Sequence, residues 1–120
     1  MKYILMIYGN EELWSSFAPE DFEQVVTETN ALQAELKASG EFVGAYGVGD
    51  QVLAKQVTLV DGAPVVTDGP YLEAKEYLAS FDIIDVDSLE RALEIAARVP
   101  AARIGQVEVR PLMHEAPDNE

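Results

Sequence analysis

The chain of 120 residues has no cysteine and only one histidine, His114. The first absence excludes disulfides, thiolate nucleophiles and thiolate metal sites. The second excludes a multi-histidine metal centre within one chain. Basic residues are scarce as well, 8 against 22 acidic, for a net charge of −14. Such a surface repels phosphate backbones and anionic lipid, so neither direct nucleic-acid binding nor membrane association is expected. No apolar run approaches the roughly 18 residues that a membrane span needs. Met1–Tyr8 is too short and too early for a signal peptide, and no small-residue cleavage site follows it. The expectation is a cytoplasmic protein without metal or cofactor. What is present is ordinary for one domain: 48% apolar and 25% charged residues, enough for a real core.

Along the chain, Tyr3–Tyr8 is a continuous β-prone apolar run that reads as a strand buried on both faces. Trp14 and Phe17 sit in a loop, as a flap over the next helix or as the lining of a pocket mouth. Pro19 suits a first helical position, with Glu20, Asp21 and Glu23 placed to favour the helix dipole. Phe22, Val25, Val26, Thr29, Leu32 and Leu36 then mark one helical face, and Gly40 is a C-cap. Phe42–Val48 is a second strand whose three nearby glycines suggest a bulge. Lys55–Val60 and Ala63–Thr67 flank Asp61-Gly62, a hairpin signal. Tyr77–Val86 is a core strand. Asp87 and Glu90 have the spacing of a capping box for a second helix, whose stripe is Leu89, Ala92, Leu93, Ala96 and Val99. Gly105–Arg110 alternates as a half-exposed strand. The domain runs from 1 to 112, and 113–120 is a polar acidic tail.

This order predicts an α+β, ferredoxin-like fold: a mainly antiparallel sheet with two helices on one face. The uncovered face calls for a partner, and a homodimer is expected.

Between the hairpin and the next strand lies Thr67-Asp68-Gly69-Pro70-Tyr71-Leu72-Glu73-Ala74-Lys75-Glu76. Gly69-Pro70 forces a turn, and Asp68 can close an Asx-turn there. In a partly apolar cleft Asp68 is a candidate general base. Lys75 or Arg110 can hold a carboxylate or an oxyanion, and Glu76 completes the charged cluster. Tyr8, Trp14, Tyr71 and Arg110 are the candidate ligand-binding residues. The expected ligand is a small organic compound, bound between the first helix and this loop with cofactor-independent acid/base chemistry. The alternative is a non-catalytic interaction module that uses its acidic surface.

Met1-Lys2-Tyr3, Tyr8-Gly9, the Asp-Gly-Pro-Tyr segment through Glu76, Ile84-Asp85-Val86-Asp87 and Pro100–Pro111 together resemble the DGPF branch of the YCII-related proteins, over nearly the whole chain. Tyr71 stands where that branch usually has Phe. The resemblance implies a dimeric α/β-barrel made from two ferredoxin-like subunits. It implies no settled activity, and an association with sigma-factor regulators for some members. The wider group is proposed to use a His–Asp pair with the histidine on the first helix. Glu20–Lys37 contains no histidine, so that pair does not carry over, and only His114 in the tail remains.

Overall fold

Strand β1 (Lys2–Gly9) buries every second residue, Tyr3, Leu5, Ile7 and Gly9, and leaves Lys2, Ile4, Met6 and Tyr8 half-exposed. It is therefore covered on one face, not two, because the helices lie on one side of the sheet only. In this computed structural model, which describes residues 1–10, 12, 15–69 and 76–117, β1 is followed by α1 (Pro19–Ser39), β2 (Phe42–Gly47), β3 (Lys55–Val60), β4 (Ala63–Asp68), β5 (Tyr77–Asp85), α2 (Leu89–Arg98) and β6 (Val107–Pro111). Four strands form an antiparallel sheet in the order β2-β5-β1-β6, and β3-β4 is a separate hairpin. With the hairpin set aside, this is the ferredoxin-like order, so the expected α+β architecture is the one observed.

The local signals explain most boundaries. Pro19 opens α1, and the Asp21 carboxylate accepts the Ala18 N–H at 2.9 Å. Gly40 closes α1 in the left-handed conformation at φ 81°, which a glycine adopts without steric cost. Asp61 and Gly62 both have positive φ, 52° and 81°, as a type I′ hairpin turn requires. The glycine-rich β2 does carry an irregularity, a register shift against β5 between Phe42 and Gly44. The cap of α2 differs from the expectation: Ser88, not Asp87, caps it, its hydroxyl accepting the Arg91 N–H at 3.1 Å.

The core gathers Tyr3, Leu5 and Ile7 of β1, Ile84 and Val86, Leu32 and Leu36 of α1, and Ala92, Ile95, Ala96 and Val99 of α2 and its end. Only Leu32 and Leu36 of α1 are buried. Phe22 and Val26, expected on the buried face, are 41% and 57% exposed. In the N-terminal half of α1, Val25 and Thr29 are half-buried and no residue is fully buried. Charge ties hold the second layer together: Arg91 forks onto Glu41 with two contacts of 2.8 Å, Arg98 pairs with Glu35, and Arg103 with Glu28 at 2.7 Å. Among the described residues no helix is long and apolar enough to cross a membrane.

Leu5 is 1% exposed at the centre of the sheet. Leu5→Ala should cost about 3 kcal/mol in urea unfolding, the usual loss for a buried leucine. A second expectation concerns acid. The Arg91 guanidinium, helped by Ser39, lowers the Glu41 carboxyl from 4.5 to about 2. Stability from a depressed carboxyl is complete above its unfolded value and lost as pH falls through its folded value. Arg91→Ala should therefore flatten that part of the acid limb, read as the melting temperature between pH 5 and pH 2.

Candidate functional site

The structure does not gather the residues that the sequence singled out. Asp68 ends β4, its side chain is 85% exposed, and it pairs with Lys55, its cross-strand neighbour at the base of the hairpin. The Gly69 N–H donates to the Ala54 carbonyl at 2.8 Å, and the Gln56 amide donates to the Gly69 carbonyl at 3.1 Å. Asp68 thus helps to close the foot of a hairpin. Glu76 is exposed. Tyr8 points its hydroxyl at the Met6 sulfur, 3.9 Å away, on the outer face of the sheet. Its backbone N–H meets the Gln106 carbonyl, whereas Arg110 lies opposite Ile4. Tyr8 and Arg110 are on neighbouring strands but about four residues apart along them, roughly 13 Å at strand rise. Trp14, Tyr71 and Lys75 lie outside the described residues. His114 lies in the segment after β6, beside Glu115, whose carboxylate holds Lys2 at 2.9 Å.

A pocket opens elsewhere, between the middle of α1 and the sheet. It has a volume of about 400 Å³, within the range of sites for small organic molecules. Val25, Thr29 and Gln33 of α1 form one wall, and Ala45, Ser80 and Asp82 of the sheet form the other. The buried ends of Leu32, Leu36, Ile84 and Ile95 close it at the core. The wall follows from register. Asp82 lies between Leu5 on β1 and Ala45 on β2, and Ser80 between Ile7 and Gly47. Both therefore share the inner face with the core residues.

Asp82 is the chemically distinctive member. No hydrogen bond or ion pair reaches its carboxylate from the described residues, and burial raises its carboxyl from 3.8 to about 6. A carboxyl held there exchanges its proton near neutral pH, so it can act as a base above pH 6 and as an acid below it. Perturbed acids in concave sites are functional candidates for this reason. Thr29, Gln33 and Ser80 supply hydroxyl and amide groups to fix a ligand's orientation. Among the described residues no three His, Asp or Glu side chains gather where a metal ion could sit.

Sequence reading missed Asp82 because Tyr77–Val86 scanned as a uniform core strand. The signal was present: Ser80 and Asp82 have the same parity as Ile84 and Val86, which are buried. Two polar residues on the core parity of a strand mark either a defect or a pocket.

Residues 1–116 match the model of the YCII-related domain. An uncharacterised protein of Rhizobium meliloti (strain 1021) is 32% identical over 114 residues, covering 93% of this chain and 92% of that protein.

The raised carboxyl makes a prediction whose sign can be worked out. Between about pH 4 and pH 6 the folded chain holds the Asp82 proton more tightly than the unfolded chain. That contribution is complete below pH 4 and lost as pH rises through 6. Asp82→Asn removes the dependence. Variant and wild type should match below pH 4. At pH 7.5 the variant should be more stable by about 1–2 kcal/mol, a figure reduced from 1.36 kcal/mol per pH unit because solvent reaches the carboxyl. Urea unfolding across this range tests it, and a variant less stable than wild type at pH 7.5 would count against an unpaired carboxylate.

Proposed function

The chain belongs to the YCII-related family, and on that premise we propose that it binds a small organic molecule in the pocket between α1 and the sheet, with Asp82 as the acid/base group. One observation carries this reading: a carboxyl without a partner among the described residues, raised to about 6, in a mostly apolar pocket of about 400 Å³. An apolar enclosure with a few converging polar groups is the usual form of a ligand site. The chemistry within reach is proton abstraction from, or donation to, a bound substrate, with no cofactor called for by these groups. Asp68 and Gly69 then belong to the hairpin's foot, where they close it against Lys55, Ala54 and Gln56.

We also propose a homodimer, the dimeric barrel arrangement. Its support is apolar surface with no cover. On the hairpin, Val57, Leu59 and Val66 share one face and are 61–69% exposed. Val43 and Tyr46 lie at 45% and 54% exposure on β2. An isolated two-stranded hairpin is marginal in water, so contact with another surface is the expected source of its stability. The same patch favours the alternative reading, a non-catalytic interaction module, in which a different protein covers it.

Two measurements test these readings. A thermal-shift screen of aromatic and aliphatic fragments should find compounds that stabilise wild type but not Thr29→Trp, which fills the pocket from α1. A fragment at a hundred times its Kd adds about 2.7 kcal/mol. If no fragment acts, or all act equally on both proteins, the pocket is not the site. Sedimentation equilibrium should give twice the 13.1 kDa chain mass for wild type and a single chain for Val57→Asp combined with Leu59→Asp. A monomeric wild type would remove the dimer and move the interaction module ahead.

A further inference from the structure

We infer that the ligand of the α1–sheet pocket is a small apolar amine, its ammonium paired with the Asp82 carboxylate and its hydrocarbon part lying between α1 and the sheet. This rests on the pocket being the binding site and adds the ligand's chemical class.

The charge inventory of the pocket makes the argument. Of its described lining residues only Asp82 and Tyr46 are titratable, and neither is a cation. The guanidinium groups nearest in the fold are already held: Arg91 by Glu41 and Glu94, Arg98 by Glu35, and Arg103 by Glu28. Lys37 lies over the Phe42 ring, 5.2 Å from its centre. A ligand carboxylate or phosphate would enter a pocket with a negative group and no described counter-charge, under the field of a chain carrying −14. Like charges placed together at low dielectric repel strongly.

A cation meets the opposite situation. The field of the whole chain concentrates it near the surface, and the one carboxylate inside has no described partner to give up. An ammonium has three N–H donors and needs acceptors for all of them when it leaves water. Asp82 offers carboxylate oxygens, and Ser80, Thr29 and Gln33 line the same space with further acceptors. The remaining walls, Val25, Leu32, Phe42 and Ile95 among them, are mostly apolar and suit a hydrocarbon body rather than a sugar or a nucleotide.

The dependence on pH follows from the groups that share the pocket or the strand register with Asp82. From the elements packed there these include Thr29 and Gln33 on α1, Ala45 and Tyr46 on β2, Leu5 and Ile7 on β1, and Ile95 on α2. No cation and no second carboxylate stands among them. With its carboxyl near 6, Asp82 is ionised at pH 7.5 and largely protonated at pH 5. A carboxylate partner strengthens a hydrogen bond to an ammonium far more than a neutral acid does. Amine binding should therefore weaken on acidification while binding of a neutral molecule of the same shape should not.

The experiment uses three probes of similar shape: 2-phenylethylamine, 2-phenylethanol and 3-phenylpropanoate. They are titrated into the full chain and into Asp82→Asn at pH 7.5 and pH 5, with amide chemical shifts followed at Ala45, Ser80 and Ile95. At pH 7.5 the amine should bind wild type at least tenfold more tightly than the alcohol and more tightly still than the acid. Asp82→Asn, or pH 5, should bring the amine down to the level of the alcohol and leave the alcohol unchanged. If the alcohol shifts the pocket amides and the amine binds no better, the class is wrong and the pocket reading stands. If the acid binds best, the class is likewise wrong. If none of the three shifts those amides, the pocket reading itself falls.

Discussion

Everything distinctive in this chain depends on how α1 meets the sheet. Its apolar face is long enough to lie flat, yet only Leu32 and Leu36 are buried, both in its second half. Glu35 and Glu28, on the same helix, are tied to Arg98 and Arg103 at the end of α2 and just beyond it. From Glu28 onward the helix is held by packing and charge together, and before it Phe22 and Val26 are left exposed. The space over Asp82 stays open between Val25, Thr29 and Gln33 on the helix and Ala45 and Ser80 on the sheet.

The sheet repeats the same trade on its inner face. Ile84 and Val86 are core residues, and Ser80 and Asp82 continue their parity toward the other end of β5. Packing there changes from apolar to polar within one strand, along the wall of the pocket. A half-buried carboxyl with no partner among the described residues costs free energy at neutral pH. Glu41, at the firmly packed end of the fold, is shifted the other way by Arg91. The two carboxyls are thus displaced in opposite directions, one by a guanidinium and the other by burial.

Much of this architecture was legible from the residues. Strand alternation, the Asp61-Gly62 turn, Pro19 and Gly40 are local signals, and local backbone physics decides them. The site was not legible in the same way. Asp68, Lys75 and Glu76 form a dense cluster along the chain, but Asp68 faces solvent and is matched across the hairpin by Lys55. Proximity in sequence misled because a hairpin end is held by its cross-strand neighbour. Asp82, by contrast, looks isolated in sequence. It acquires its environment from β1, β2 and α1, each distant along the chain. The cap of α2 shows the same effect on a smaller scale: Asp87 and Glu90 had the right spacing, and the backbone placed Ser88 at the cap.

The uncovered surfaces bear on the pocket as well as on assembly. The radius of gyration is 16.9 Å, against about 14 Å for a compact chain of this length, and the difference reflects a hairpin that stands away from the sheet. Its exposed valines and leucine amount to on the order of 400 Å² of apolar surface, at the upper end of what a monomer shows. Two such arms, each meeting an equal area on a second copy, would bury on the order of 1,600 Å², the size of a stable interface. The proposed dimer would also hold twice the negative charge of one chain, so its contact must be made where charge is sparse. The hairpin meets that condition, because Lys55 and Asp68 neutralise each other and Asp61 sits at the tip. The acidic residues of α1, on the opposite face of the sheet from Met6 and Tyr8, would stay in water and keep their field directed at the mouth of the pocket.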